Sequence, residues 1–130
     1  MKQSILDRIR VINKVATNKI MIHICGKGFG HFAILTHVGR KSGKTYRIPI
    51  IAEPVQNGFV IALTYGKKVD WYENVAAHGG AALRWKNHDY ALIHPEFIDR
   101  ELGVQAFPAV LRNVLRKIGI EYYLRMEIQP

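Results

Sequence analysis

The chain has 130 residues, 48% of them hydrophobic, which suits one globular domain with one core. Nineteen lysines and arginines against ten acidic residues give a formal net charge of +9, so an anionic partner is expected: nucleic acid, an anionic membrane or an acidic small molecule. The single cysteine, Cys25, excludes an intramolecular disulfide framework and fits a reduced cytoplasmic compartment, and no run approaches the ~20 apolar residues that span a bilayer.

Residues 3 to 19 have the spacing of an amphipathic helix, with Ile5, Ile9, Ile12 and Ala16 on one side and Lys2, Arg8 and Lys19 elsewhere. Such a helix packs on a domain or lies on an anionic membrane, which leaves peripheral contact at the inner face of the membrane open. Asp7, Arg8 and Arg10 interrupt any signal-peptide core. The glycines of Gly26-Lys27-Gly28-Phe29-Gly30 read as a turn, since no βαβ unit follows them.

A strand is expected over residues 32 to 37. The stretch Val38-Gly39-Arg40-Lys41-Ser42-Gly43-Lys44-Thr45-Tyr46-Arg47-Ile48-Pro49-Ile50-Ile51 then reads as a basic turn leading into a second strand over residues 47 to 53. Its Arg40, Lys41, Lys44 and Arg47, with backbone N–H groups of the turn, suit a phosphate or carboxylate; a solvated hairpin tip accounts for the same residues. It is not a nucleotide P-loop. Gly39 and Gly43 are one residue too close, and a strand follows where a P-loop opens a helix. Pro49 inside the second strand predicts an edge position or a bulge.

Asn57-Gly58 supplies a turn into a third strand over residues 59 to 63, and Thr64-Tyr65-Gly66-Lys67-Lys68-Val69 forms a loop that can lie beside the basic turn. Asp70-Trp71-Tyr72-Glu73 has the form of a capping box, Gly79-Gly80 closes the short helix, and Trp71 is a core anchor. Strands over 81 to 85 and 90 to 94 flank the turn Lys86-Asn87-His88-Asp89. Pro95 begins a helical region, with a helix start at Pro108 and an end at Gly119. The tail from Ile120 to Ile128 is a last strand or a lid. These elements give an α+β class: a partly closed antiparallel barrel with flanking helices, one domain over 1–130 that includes the N-terminal helix of residues 1–19. His23, His31, His37, His78, His88 and His94 lack metal-ligand spacing, so no metal is expected.

The order Leu35-Thr36-His37-Val38-Gly39-Arg40-Lys41-Ser42-Gly43, Pro49-Ile50, Thr64-Tyr65-Gly66, Asp70-Trp71 and Asn74 resembles the deazaflavin-dependent nitroreductase family over about residues 30 to 95. The resemblance implies a split β-barrel of the FMN-binding-like type that binds coenzyme F-420, a deazaflavin with an anionic phosphate and oligoglutamate tail. Related split barrels use FMN, the alternative cofactor. It further implies that Arg40, Lys41, Ser42 and Gly43, with Arg47 nearby, hold the phosphate and tail. Pro49 and Ile50 would pass near the ring system, and Thr64, Tyr65, Gly66 and Lys67 would close over it. Trp71 and Asn74 look structural in the family. The sequence departs from the common pattern at His37-Val38, at Tyr46 with Arg47 shifted by one, and in a shorter loop from Thr64 to Trp71.

The implied reaction is hydride transfer from reduced F-420 to a quinone, an enone or a nitro compound, with Tyr122 and Tyr123 as candidates for proton donation or substrate contact. A second reading is a non-catalytic lipid or quinone binder. A nucleic-acid module is set aside because Phe32, Phe59, Trp71 and Trp85 sit at core positions and the cations cluster at two loops. An edge strand containing Pro49 leaves room for a homodimer.

Overall fold

The computed structural model describes residues 32–64, 66 and 69–130. The helix expected over residues 3 to 19, the glycine-rich connector, Cys25, Tyr65 and Lys67 lie outside the described residues. Strands β1 (Phe32–Val38) and β2 (Thr45–Val55) form a hairpin, and β3 (Gly58–Leu63) turns back beside β2. Helix α1 (Asp70–His78) is followed by β4 (Gly80–Trp85) and β5 (His88–Ile98). Two helices, α2 (Arg100–Gln105) and α3 (Ala109–Ile118), lead to β6 (Tyr122–Ile128). The strands close an antiparallel barrel in the order β1-β2-β3-β6-β5-β4, with β1 also paired to β4.

The barrel follows from alternation. On β1, Ala33, Leu35 and His37 are buried and point inward, while the residues between them are partly exposed. On β3 every residue is buried. Phe59, Ile61 and Leu63 enter the interior cluster with Leu83, Leu92, Leu124 and Met126, whereas Val60 and Ala62 are buried outside it. Helix α2 packs on the outer side of β6 and β3. Val104, Phe107, Leu111, Leu115, Ile120 and Tyr123 form this second apolar layer, so β3 carries a continuous hydrophobic run instead of an alternating one. Each large side chain so buried contributes ~1.5–3 kcal/mol relative to exposure. Helix α1 packs against β1 and β4 and puts Trp71 and Val75 into the interior cluster, as expected of Trp71.

Three local expectations are corrected. Pro95 does not begin a helical region: β5 runs on to Ile98, and the pairing with β6 shifts register between Ile93 and Glu96. His94 takes φ 55° there, so proline sits at an irregularity that needs no ladder N–H. The Asp70-x-x-Glu73 pattern is not a capping box, because Val69 is the N-cap and supplies no side-chain bond. The turn before β5 is only Lys86-Asn87, both in the left-handed region, which leaves His88 and Asp89 to pair with Trp85 and Arg84. Pro108 and Gly119 do bracket a helix, Gly79 ends α1, and the tail is a strand.

Gly103 on α2 faces Tyr123, and a Cβ placed there would collide with Cβ and Cγ of that ring. Gly103→Ala is therefore expected to lower stability by ~1–3 kcal/mol through overpacking, read as a fall in the urea midpoint. An unchanged midpoint would show that the second layer yields without strain.

Candidate functional site

β2 changes neighbour part-way along. Ile51 pairs with Phe32 of β1 on one side and Ala62 of β3 on the other. From Thr45 to Ile50, β2 is paired with β1 alone among the described strands, and Pro49, opposite Ile34, lies in this half. That is the edge setting expected of a strand proline. Continuing the β2–β3 register would bring Ile50 and Pro49 opposite Leu63 and Thr64, and Leu63 pairs with Tyr122. The end of β3 brings Leu63, Thr64 and Tyr122 together, with Gly66 tied in by a 3.3 Å bond from its N–H to the Leu63 carbonyl, and Pro49 and Ile50 lie on the part of β2 just past its last pair with β3. Phe97 stands there between Tyr72 (ring centroids 4.6 Å apart) and Tyr122 (6.3 Å), and it is 37% exposed, an unusual state for phenylalanine.

The basic turn projects from the β1–β2 hairpin. The Gly39 N–H donates to the Lys44 carbonyl at 2.8 Å, and the Gly43 N–H to the Gly39 carbonyl at 3.0 Å. Gly43 takes φ 69°, so the residue expected to permit the turn does so. The Lys44 N–H donates to Ser42 Oγ at 3.2 Å, and Ser42 Oγ also meets the Tyr46 hydroxyl at 3.2 Å. These bonds close the turn on itself. Lys41, Ser42, Lys44 and Arg47 are all exposed.

Arg40 points elsewhere. Its guanidinium donates to Asn74 Oδ1 at 2.7 Å, to Glu73 at 3.0 Å and to Asp70 at 3.3 Å, and its backbone N–H donates to the same Asn74 oxygen at 3.1 Å. The acidic pair that resembled a capping box is the counter-charge for this arginine, in the first turn of α1 where carboxylates also suit the helix dipole. Asn74, only 5% exposed, continues inward through a 3.1 Å contact between its Nδ2 and His37 Nδ1. The His37 ring stacks on Tyr46, with centroids 5.6 Å apart. Burial holds the His37 imidazole below its ordinary value, against an opposing pull from Asp70.

The two candidate tyrosines part company. Adjacent residues of a strand face opposite sides, and Tyr122 points to the barrel end while Tyr123 points outward beneath α2 and α3. Tyr123 is 0% exposed and donates its hydroxyl to the Ile120 carbonyl at 3.3 Å. Its burial raises the phenol further above its usual range. A buried, engaged hydroxyl in the second layer cannot contact a substrate, so the expectation for Tyr123 is corrected. Sequence reasoning also missed Asp70 and Glu73 as partners of Arg40; their presence in a chain with few acids was the available signal.

Residues 13–103 match the family model described as F420H(2)-dependent quinone reductase. The chain belongs to this family. The family defines an oxidoreductase that depends on reduced F-420, as the sequence resemblance implied. No curated protein matches the chain. Among solved structures, one titled as an F420-H2 dependent reductase (FDR-A) is 18% identical, with 75% of this chain and 94% of that one covered and a TM-score of 0.54. A second, titled as a domain-swapped dimer, is 16% identical over 88% and 98% of the two chains, TM-score 0.54. A third is related to general stress protein 26, of the pyridoxinephosphate oxidase family, from Clostridium acetobutylicum. It is 10% identical over 85% and 84%, TM-score 0.55. These likenesses establish the split-barrel fold. The donor set also fits F-420: exposed cations suit an anionic tail, and an apolar barrel end beside the β1-only half of β2 suits a planar ring.

Asn74→Ala removes the acceptor for two Arg40 donors and the donor to His37 at a buried position. The expected loss is ~1–3 kcal/mol in denaturant unfolding, the cost of leaving such groups unpaired. A loss within error would mean that water replaces the amide freely.

Proposed function

We propose that this quinone reductase holds the anionic part of F-420 with the side chains of Lys41, Ser42, Lys44 and Arg47, and seats the deazaflavin ring, with the quinone against it, at the barrel end of Pro49, Ile50, Thr64, Gly66 and Tyr122. The observation that carries this reading is the placement of an exposed cationic turn at one end of a strand whose next residues reach the apolar barrel end. Gly43 gives the turn its shape. Tyr65 and Lys67, in the loop between β3 and α1, complete the set by sequence position. Arg40 acts here as a positioning residue, since two carboxylates and an amide already surround its guanidinium.

When bound, reduced F-420 supplies a hydride, and a proton completes reduction of the quinone to the quinol. The chain provides orientation and exclusion of water. Pro49 presents no N–H and Ile50 turns its side chain into the interior cluster, so this stretch of β2 offers an apolar edge. The Tyr122 phenol is the candidate proton donor, and its ring meets Phe97, which in turn meets Tyr72, so that flat rings here suit a planar acceptor. Enones and nitro compounds share that planarity and the developing negative charge on oxygen, so they belong to the same proposed substrate range. A quinone carried in a lipid surface would bring the protein to the cytoplasmic face of a membrane. No helix among the described residues is long and apolar enough to cross one.

Two experiments test this reading. Lys44→Ala and Arg47→Ala should each weaken F-420 binding by ~1.5–3 kcal/mol at low salt, with smaller losses at high salt, in a tryptophan-quenching titration. Full affinity in both variants would move the anion site away from the turn. In steady-state kinetics with a soluble quinone, Tyr122→Phe should lower kcat while leaving F-420 affinity nearly unchanged, and Tyr123→Phe should lower stability by ~1 kcal/mol without altering kcat. Equal kcat in Tyr122→Phe and the unmodified protein would remove the phenol from the reaction.

A further inference from the structure

Asn74 Oδ1 receives two N–H donors, the Arg40 backbone amide at 3.1 Å and the Arg40 guanidinium at 2.7 Å. Neither donor can serve as an acceptor, so the carboxamide has one permissible orientation, with its NH2 turned toward His37. At 3.1 Å from that nitrogen, His37 Nδ1 must accept. The imidazole proton therefore sits on Nε2, an atom buried without a partner among the described residues. We infer that His37 is a positioning residue for the F-420 site: as a neutral Nε2–H imidazole it fixes the Asn74 amide, which fixes Arg40 and the basic turn that follows it. This inference rests on the proposed placement of F-420 at that turn.

The geometry makes the latch sensitive to one proton. Protonation of His37 turns Nδ1 into a donor and sets N–H against N–H at 3.1 Å. The amide cannot relieve this by rotating, because its NH2 would then face the two Arg40 donors. One bond in the chain must break, and the bonds that tie the turn to α1 are at stake. The charged group that acts on His37 is Asp70 from α1, and Asp70 is itself paired with Arg40, which also holds Glu73. Tyr46 is the titratable neighbour on β2, and on β4 the pair beside His37 is Thr36 with Ala82, which carries no charge. Asp70 favours the protonated ring, but burial opposes it and is the larger effect. The lowered value places the event on the acid side: the latch is intact above about 6.5, the usual imidazole value, and is lost as pH falls through the lower folded value.

The test has two arms. In the first, 15N NMR of the ligand-free protein should show His37 as the Nε2–H tautomer at pH 7.5. In Asn74→Asp, where a carboxylate still accepts from Arg40, the imidazole should shift to a form protonated at Nδ1. An Nδ1–H tautomer in the unmodified protein would overturn the inference whether or not F-420 binds. In the second arm, F-420 affinity is followed by tryptophan quenching from pH 7.5 to 5. His37→Phe should weaken binding at pH 7.5 by ~5–10-fold, the effect of about one buried hydrogen bond. His37→Gln, whose side-chain oxygen can accept from Asn74, should restore most of that loss and remove the part of the acid-side decline that belongs to His37. An identical pH profile in His37→Gln and the unmodified protein would overturn the inference. Absence of F-420 binding at every pH, with the expected tautomer in the first arm, would instead reject the placement of F-420 and leave the His37–Asn74–Arg40 polarity standing.

Discussion

The change of partner in β2 is the constraint on which the architecture turns. An eleven-residue strand serves β1 through its first half and β3 through its second, with Ile51 shared between them. Had β2 and β3 stayed paired to their ends, Pro49 would fall opposite Thr64 inside a two-sided ladder, where a missing N–H costs a bond. Partner exchange permits the proline and separates the β1–β2 hairpin tip from the exit of β3. The loop after Leu63 then leads into α1, whose Trp71 and Val75 complete the interior cluster.

That separation would leave the hairpin tip held only by its own turn bonds. Arg40 supplies the link to α1. A lysine there would offer one point charge, whereas the guanidinium reaches Asn74, Asp70 and Glu73 at once through two nitrogens. The two ion pairs are partly exposed, so solvent screens them and their individual worth is small. The greater part of the fixing falls to Asn74, which is buried and whose every polar atom is engaged.

Much of the barrel was legible because its signals are local. Alternation around Phe32–Val38 and the Pro108 and Gly119 brackets each report the backbone where they occur, and Asn57-Gly58 marks the β2–β3 hairpin one residue late, since the turn is Gln56-Asn57 and Gly58 already pairs with Val55. What escaped depends on contacts between distant residues. Asp70 and Glu73 have the spacing of a cap, and only the approach of Arg40, more than thirty positions away, turns them outward to an ion pair. Pro95 reads as a helix start until the β5–β6 register shift is known. Tyr122 and Tyr123 carry the same chemistry in sequence, and strand parity alone sends one to the barrel end and the other under α2. The basic turn was visible as charge, but which cation faces outward was not, because that depends on Asn74.

The acidic pair also gives the site a direction. Two carboxylates lie within 3.3 Å of the Arg40 guanidinium, so an anion approaching from α1 meets negative charge before it meets this arginine. Lys41, Lys44 and Arg47 are exposed on the turn, and their positive charge favours the approach of an anion from that side. In the proposed placement, a ligand with a charged tail and a flat apolar head would be aligned by repulsion as well as attraction, with its tail on the outer side of the turn and its head along β2 toward Phe97 and Tyr122. Charge set in this way selects an orientation that the apolar barrel end alone could not, since hydrophobic contact has no direction.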